Sequence, residues 1–141
     1  MKIISLITFT ILIMISCKSI HIDPNSIIGK WQFTGIAQHQ NIDGNWTPWR
    51  VNPTLLKTNP SIFEFTNDGY FLRNGKNGAD CCFFGNKYTV KEHKISFSET
   101  LNCPNVDCSA RADCLLIKEI KGDTLILEYC GNLRNKLVRI K

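Results

Sequence analysis

From residue 27 onward the chain repeats one pattern: a few alternating apolar and polar positions, then a cluster of turn residues. In "IFEFTNDGYFLRN" (62–74), Phe63 and Phe65 fall on one face of an extended segment and Glu64 on the other, before "NDG" reverses the chain. Leu125, Leu127 and Tyr129 likewise share a face opposite Ile126 and Glu128. Period-two alternation describes strands with one dry side and one wet side. The pattern predicts strands over 30–38, 46–51, 61–66, 70–74, 88–90, 94–98, 114–120, 124–130 and 136–140. Between them, "DGN", "TNDG", "GKNG", "KEHK", "KGD" and "GNLRN" have turn chemistry. A 3.6-residue period never persists for three turns, so any helix is brief, with 53–58 the candidate. Short strands at this spacing predict an all-β, antiparallel sandwich or barrel.

The first residues follow a different rule. Residues 3–15 are uncharged, with Ser5, Thr8 and Thr10 their only hydroxyl side chains, and Lys2 precedes them. This run is shorter than the roughly 20 residues that cross a bilayer, but it has the length of a secretory signal core. Met14-Ile15-Ser16-Cys17 resembles the lipobox of bacterial lipoproteins. That resemblance implies cleavage before Cys17, a diacylglycerol on its thiol and an acylated amine. Two or three acyl chains anchor stably where one binds only marginally. The expected organisation is a signal peptide over 1–16, a lipidated tether over 17–26 and one domain over 27–141.

Cysteine parity agrees with that division. Seven cysteines leave one over. With Cys17 as lipid carrier, Cys81, Cys82, Cys103, Cys108, Cys114 and Cys130 remain as candidates for three bridges in an oxidising envelope. A metal site is the rival reading, but Cys103, Cys108 and Cys114 lack paired C-x2-C spacing and His21, His39 and His93 are dispersed. No metal or cofactor is expected. In the hairpin around residue 122, partners whose numbers sum to 244 put Ile117 against Leu127 and Cys114 against Cys130. A two-residue Gly122-Asp123 turn instead demands 245, and the apolar face favours 244. Extending the 88–98 hairpin with sum 185 brings Cys82 near Cys103 and leaves Cys81 for Cys108. The swapped pairing is also compatible, because adjacent cysteines in an extended chain point to opposite faces.

Charge adds little. Losing Lys2 with the leader reduces 17 basic residues to 16 against 12 acidic ones, a net +4. The basic residues are scattered, so no nucleic-acid partner is expected.

"IIGKWQF" (27–33), followed by "FEFTNDGYF", "YTVKEHKISFS" and "GDTLILEY", resembles the lipocalin-like lipoproteins of Bacteroidetes-type bacteria over residues 27–141. The resemblance implies an up-and-down β-barrel of about eight strands. It also implies that Trp31, the Gly-x-Trp tryptophan, closes one barrel end beside a late basic residue, Arg139 or Arg134. Both roles are structural. Members of the wider superfamily bind small apolar molecules.

Signatures of catalysis are missing from the chain: it has no G-x-S-x-G, H-E-x-x-H or phosphate-binding glycine loop. Glu64, Asp68, Glu99 and Asp107 are too dispersed to pair, and His93 reads as a solvated turn residue. The expectation is a non-enzymatic, membrane-anchored envelope protein, in the outer membrane, that binds a small apolar or amphipathic ligand. The alternative is a protein-interaction or inhibitor module with a filled barrel. With Phe33, Phe63, Phe65, Phe97, Leu125, Leu127 and Tyr129 all inward, at most a modest cavity remains. Recognition would then fall to Trp46, Trp49 and Arg50 in "NWTPWR", whose composition matches interaction hot spots. The bland alternative is that one of these tryptophans plugs the barrel.

Overall fold

The computed structural model of the protein describes residues 22–53, 61–104, 106, 114–130 and 132–141. Its strands are β1 (Gly29–His39), β2 (Arg50–Val51), β3 (Ile62–Phe65), β4 (Phe71–Arg73), β5 (Lys76–Asn77), β6 (Gly85–Lys91), β7 (Lys94–Thr100), β8 (Leu115–Lys121), β9 (Thr124–Tyr129) and β10 (Leu133–Ile140). All pair antiparallel, in the order β5-β4-β3-β1-β10-β9-β8-β7-β6, with β2 on β1. A bridge between Tyr70 and Lys87 joins β4 toward β6, so the sheet curls nearly closed into a barrel. Apart from the short β2 and β5, chain neighbours are wall neighbours and β10 returns to β1. This is the all-β, disulfide-stapled, up-and-down barrel expected from the sequence.

The hairpins obey their turn residues. Asn74 (φ 53°) and Gly75 (φ 72°) link β4 to β5 with two left-handed residues, as a type I′ turn requires. "GKNG" therefore contains a small strand where the sequence predicts only a turn. The predicted strand 46–51 shrinks to Arg50–Val51, because Pro48 has no N–H to offer a ladder. Only Pro53 of the candidate helix 53–58 lies among the described residues.

Both registers weighed for the β8–β9 hairpin occur together. Leu115 faces Tyr129 and Ile117 faces Leu127, with sum 244, whereas Glu119 faces Ile126 and Lys121 faces Thr124, with sum 245. A bulge at Lys118 absorbs the extra residue, so the two-residue turn and the apolar face are both kept. Cys114 and Cys130 are bridged, with Cα atoms 5.2 Å apart.

The β6–β7 register holds at 185 as far as Gly85 opposite Thr100. It does not continue to the cysteines. Asp80 Oδ1 accepts N–H bonds from Cys82 (3.0 Å), Phe83 (2.6 Å) and Phe84 (3.0 Å), bending the chain out of the sheet. The bend brings Cys81, not Cys82, to Cys103, with Cα atoms 5.4 Å apart. Cys82 is also disulfide-bonded. Cys108 lies outside the described residues.

One barrel end is plugged. Trp31 is fully buried and donates from Nε1 to the Ile27 carbonyl at 2.7 Å. The Arg139 guanidinium lies 4.1 Å from the indole centroid and donates to the carbonyls of Ile28 (2.7 Å) and Ser26 (2.9 Å). Gly29 has φ +126°, which strains any larger residue, and a Cβ there would sit 2.6 Å from Arg139 Nη1 and displace the guanidinium from its seat. A 3-10 helix, Pro24–Ile27, carries the buried Ile27, and Ile22 also packs on the core. Residues 22–26, whose polarity predicts a tether, thus belong to the folded body.

Above this plug the interior is aromatic. Phe71 contacts Phe63, Phe84 and Phe97 at centroid separations of 5.1, 5.2 and 5.0 Å. All seven side chains predicted to point inward belong to this core or pack against it.

Candidate functional site

The opposite end of the barrel holds a cavity of about 250 Å³, and β1 creates it. Phe33 faces Leu137 and Ile36 faces Lys136, so three steps along β1 match one along β10. Thr34 and Gly35 (φ 74°) form this insertion, which Thr34 Oγ1 pins by donating to the Lys136 carbonyl at 2.8 Å. Below the insertion β1 pairs with β3; above it, β1 pairs with β2. The wall splits at this step. Phe33, Asn52 at the end of β2 and Ser61 at the entry to β3 line the resulting space.

Its floor and sides are Phe33, Phe63, Phe84, Tyr129 and Leu133, with the exposed His39 and Arg73 at the rim. The two-residue insertion preserves side-chain parity, so Ala37 and Asn135 remain opposite one another on the inner face. Asn135 is only 4% exposed, and its Oδ1 has no hydrogen-bond partner among the described residues. Arg73 stands opposite Phe63 and therefore on the inner face as well, but at the end of a three-residue strand where the wall stops. Its guanidinium lies 5.9 Å from the Phe84 ring centroid, and no acidic side chain among the described residues is in ion-pair distance. Burial holds the Tyr129 phenol above its usual range; the positive charge of Arg73 opposes that shift and Asp80 adds to it.

The predicted recognition residues are elsewhere. Trp46, Trp49 and Arg50 line no part of this cavity. Trp46 sits in the β1–β2 connection beneath Arg134, whose guanidinium is 3.8 Å from its ring centroid. Trp49 and Arg50 are exposed, on or beside β2. Neither tryptophan plugs the barrel: Trp46 packs under Arg134 and Trp49 is exposed, and neither belongs to the core. Arg134 is held by Glu128 at 2.6 Å and does not reach Trp31. Cys17 lies outside the described residues.

Of the four carboxylates weighed as acid/base candidates, the three that are described have structural partners. Glu64 pairs with Lys30 at 3.9 Å and Glu99 with Lys87 at 2.7 Å, while Asp68 accepts from Thr66 Oγ1 in the β3–β4 turn. Asp107 is outside the described residues. His93 occupies the predicted turn, but it is partly buried and its Nδ1 has no partner among the described residues, unlike a solvated histidine. Among the described residues no group of three His, Cys, Asp or Glu side chains is placed to hold a metal ion.

Sequence reasoning missed Arg73, Phe84 and Asn135. "GNLRN" reads as a turn, so β10 was expected to begin at 136. Continuing the alternation back from Leu137 would have placed Asn135 and Leu133 on the inner face. Phe84 gave no such signal, because the Asp80 bend that points it inward interrupts any strand pattern.

Searches against protein-family models, curated proteins and solved structures found no match to the chain.

Proposed function

We propose that this chain is a lipocalin-like lipoprotein of the bacterial cell envelope, anchored through Cys17, that binds a small apolar or amphipathic molecule without transforming it. The observation that carries the binding reading is the aromatic-lined cavity at the end of the barrel opposite the Trp31–Arg139 plug. Ligand sites are typically concave, mostly apolar and furnished with a few convergent polar groups, and this one combines four aromatic side chains with Arg73 and Asn135. Pairing of Glu64, Asp68 and Glu99 with structural partners supports binding over catalysis.

Chain direction gives the orientation that such an anchor would impose. The 3-10 helix enters β1 at the plugged end, so an anchor at Cys17, five residues before Ile22, would tether the barrel by that end. An acylated Cys17 would hold the plug toward the membrane and turn the cavity away from it, accessible to solutes. Such a protein sits in the envelope, most naturally in the outer membrane. Cys17→Ser should leave the leader uncut and move the protein out of the detergent phase. Unchanged partitioning and size would refute the anchor.

A second reading keeps the same anchor but uses a protein partner. It draws on exposed apolar residues near β2: Trp49 (39% exposed), Val51 (60%) and Ile42 (109%). Native mass spectrometry of the full chain purified from its own host separates the two. A retained small molecule, lost when the cavity is narrowed by Leu133→Trp in its wall, supports the binding protein; a retained polypeptide supports the interaction module.

A further inference from the structure

Three features of the cavity differ in kind: its size, its one buried amide and its one rim cation. About 250 Å³ is larger than the roughly 150 Å³ apolar cavity that accepts benzene, so the space suits one ring with a short substituent. Phe33, Phe63, Phe84 and Tyr129 line it, and aromatic walls favour an aromatic guest through edge-to-face and offset contacts. A protein interior filled only for stability would have an apolar side chain at position 135. Asn135 instead lies between Ala37 on β1 and Leu127 on β9, with its Oδ1 buried and unpartnered. An unpaired buried acceptor is costly, and its place in the cavity wall directs it to a donor brought in from outside. Arg73 supplies the complementary feature at the rim, a guanidinium without a carboxylate partner among the described residues.

We infer that the cavity takes a small single-ring aromatic acid, its ring between the phenylalanines, a ring-borne O–H or N–H donated to Asn135 Oδ1, and its carboxylate on Arg73. This rests on reading the cavity as a ligand site. The two polar contacts divide selectivity. Arg73 recognises charge at the entrance, where a guanidinium can bind a carboxylate in bidentate fashion. Asn135 rejects guests that leave its carbonyl unpaired, which is how a buried polar group discriminates more sharply than an apolar wall.

The test is calorimetric titration of the full chain with four probes: 4-hydroxyphenylacetate, phenylacetate without the ring hydroxyl, p-cresol without the carboxylate, and toluene with neither. The expected order puts 4-hydroxyphenylacetate first, with phenylacetate and p-cresol each at least about tenfold weaker. Arg73→Gln should bring 4-hydroxyphenylacetate down to the affinity of p-cresol while leaving p-cresol itself unchanged. Asn135→Leu should erase the advantage over phenylacetate. Equal affinity for all four probes would overturn the aromatic-acid assignment and leave the apolar binding site standing. Binding of none of them, toluene included, would remove the assignment and count against the cavity as a ligand site. Because the probe series needs only the wild-type chain, the outcome does not depend on either variant folding.

Discussion

The two ends of the barrel are built from similar parts with opposite results. At the plugged end an arginine lies over a buried indole, and its guanidinium donates to two backbone carbonyls. At the other end an arginine lies near a buried phenyl ring, but its charge has no anionic partner among the described residues and a buried amide oxygen beside it is unpaired. The plugged end shows what this fold does when polar groups serve stability: donors meet acceptors around a fully buried indole. The open end departs from that economy at specific positions, where function is the usual reason. The disulfides lie at the departing end, where Cys114–Cys130 flanks Tyr129 and Cys81–Cys103 closes the segment carrying Phe84. Neither bridge touches the split itself, which lies where β1 passes from β3 to β2.

The comparison predicts asymmetric responses. The largest belongs to the plug: Trp31→Ala should cost about 3–5 kcal/mol, since the surrounding rings cannot collapse into the vacated space. Chemical denaturation measures it, and a loss below about 1 kcal/mol would mean that the plug is dispensable. Reducing the bridges should cost about 2–4 kcal/mol each, and a thermal melt unmoved by reductant would show that the open end needs no staples.

A pH effect comes next. The unfolded Tyr129 phenol titrates near its ordinary value of 10.0, whereas burial raises the folded one above it. Stability from this group is therefore complete below about pH 10 and falls as pH rises beyond, by up to about 1.4 kcal/mol per pH unit. Tyr88 is raised too, first by burial and then by Asp68, so wild type carries two such groups. Tyr129→Phe should shallow the alkaline decline without abolishing it, as denaturation midpoints at pH 9, 10 and 11 would report. An unchanged slope would mean that this phenol is hydrated in the folded state.

The smallest effect has the opposite sign. Asn135→Leu should leave stability unchanged or raise it by about 1 kcal/mol, because it removes an unpaired buried carbonyl and extends apolar surface into the cavity. A stabilised protein with lost probe selectivity would sharpen the contrast between the ends. Destabilisation as large as that of Trp31→Ala would erase it.

Much of this molecule is decided locally, and so could be read from the chain. Alternation at Phe63–Phe65 and Leu125–Leu127 sets which faces are dry, and Gly122-Asp123 and Asn74-Gly75 set reversals through backbone sterics. Cys114 and Cys130 fall opposite each other because the apolar register between them has one acceptable phase near the bridge. These are short-range constraints, each carried by a few consecutive residues. The pairing of Cys81 with Cys103 required the Asp80 bend, whose three N–H bonds outcompete the ladder that residues 81–84 would otherwise join. The coexistence of both β8–β9 registers required a bulge that neither strand announces. The cavity depends on a step in β1 whose meaning appears only when β10 lies on one side and β3 and β2 divide the other. Arg73, Phe84 and Asn135 are far apart in sequence, and only closure of the barrel makes them neighbours of one space. Sequence periodicity reports which way a side chain points; what it meets there is a property of the assembled walls.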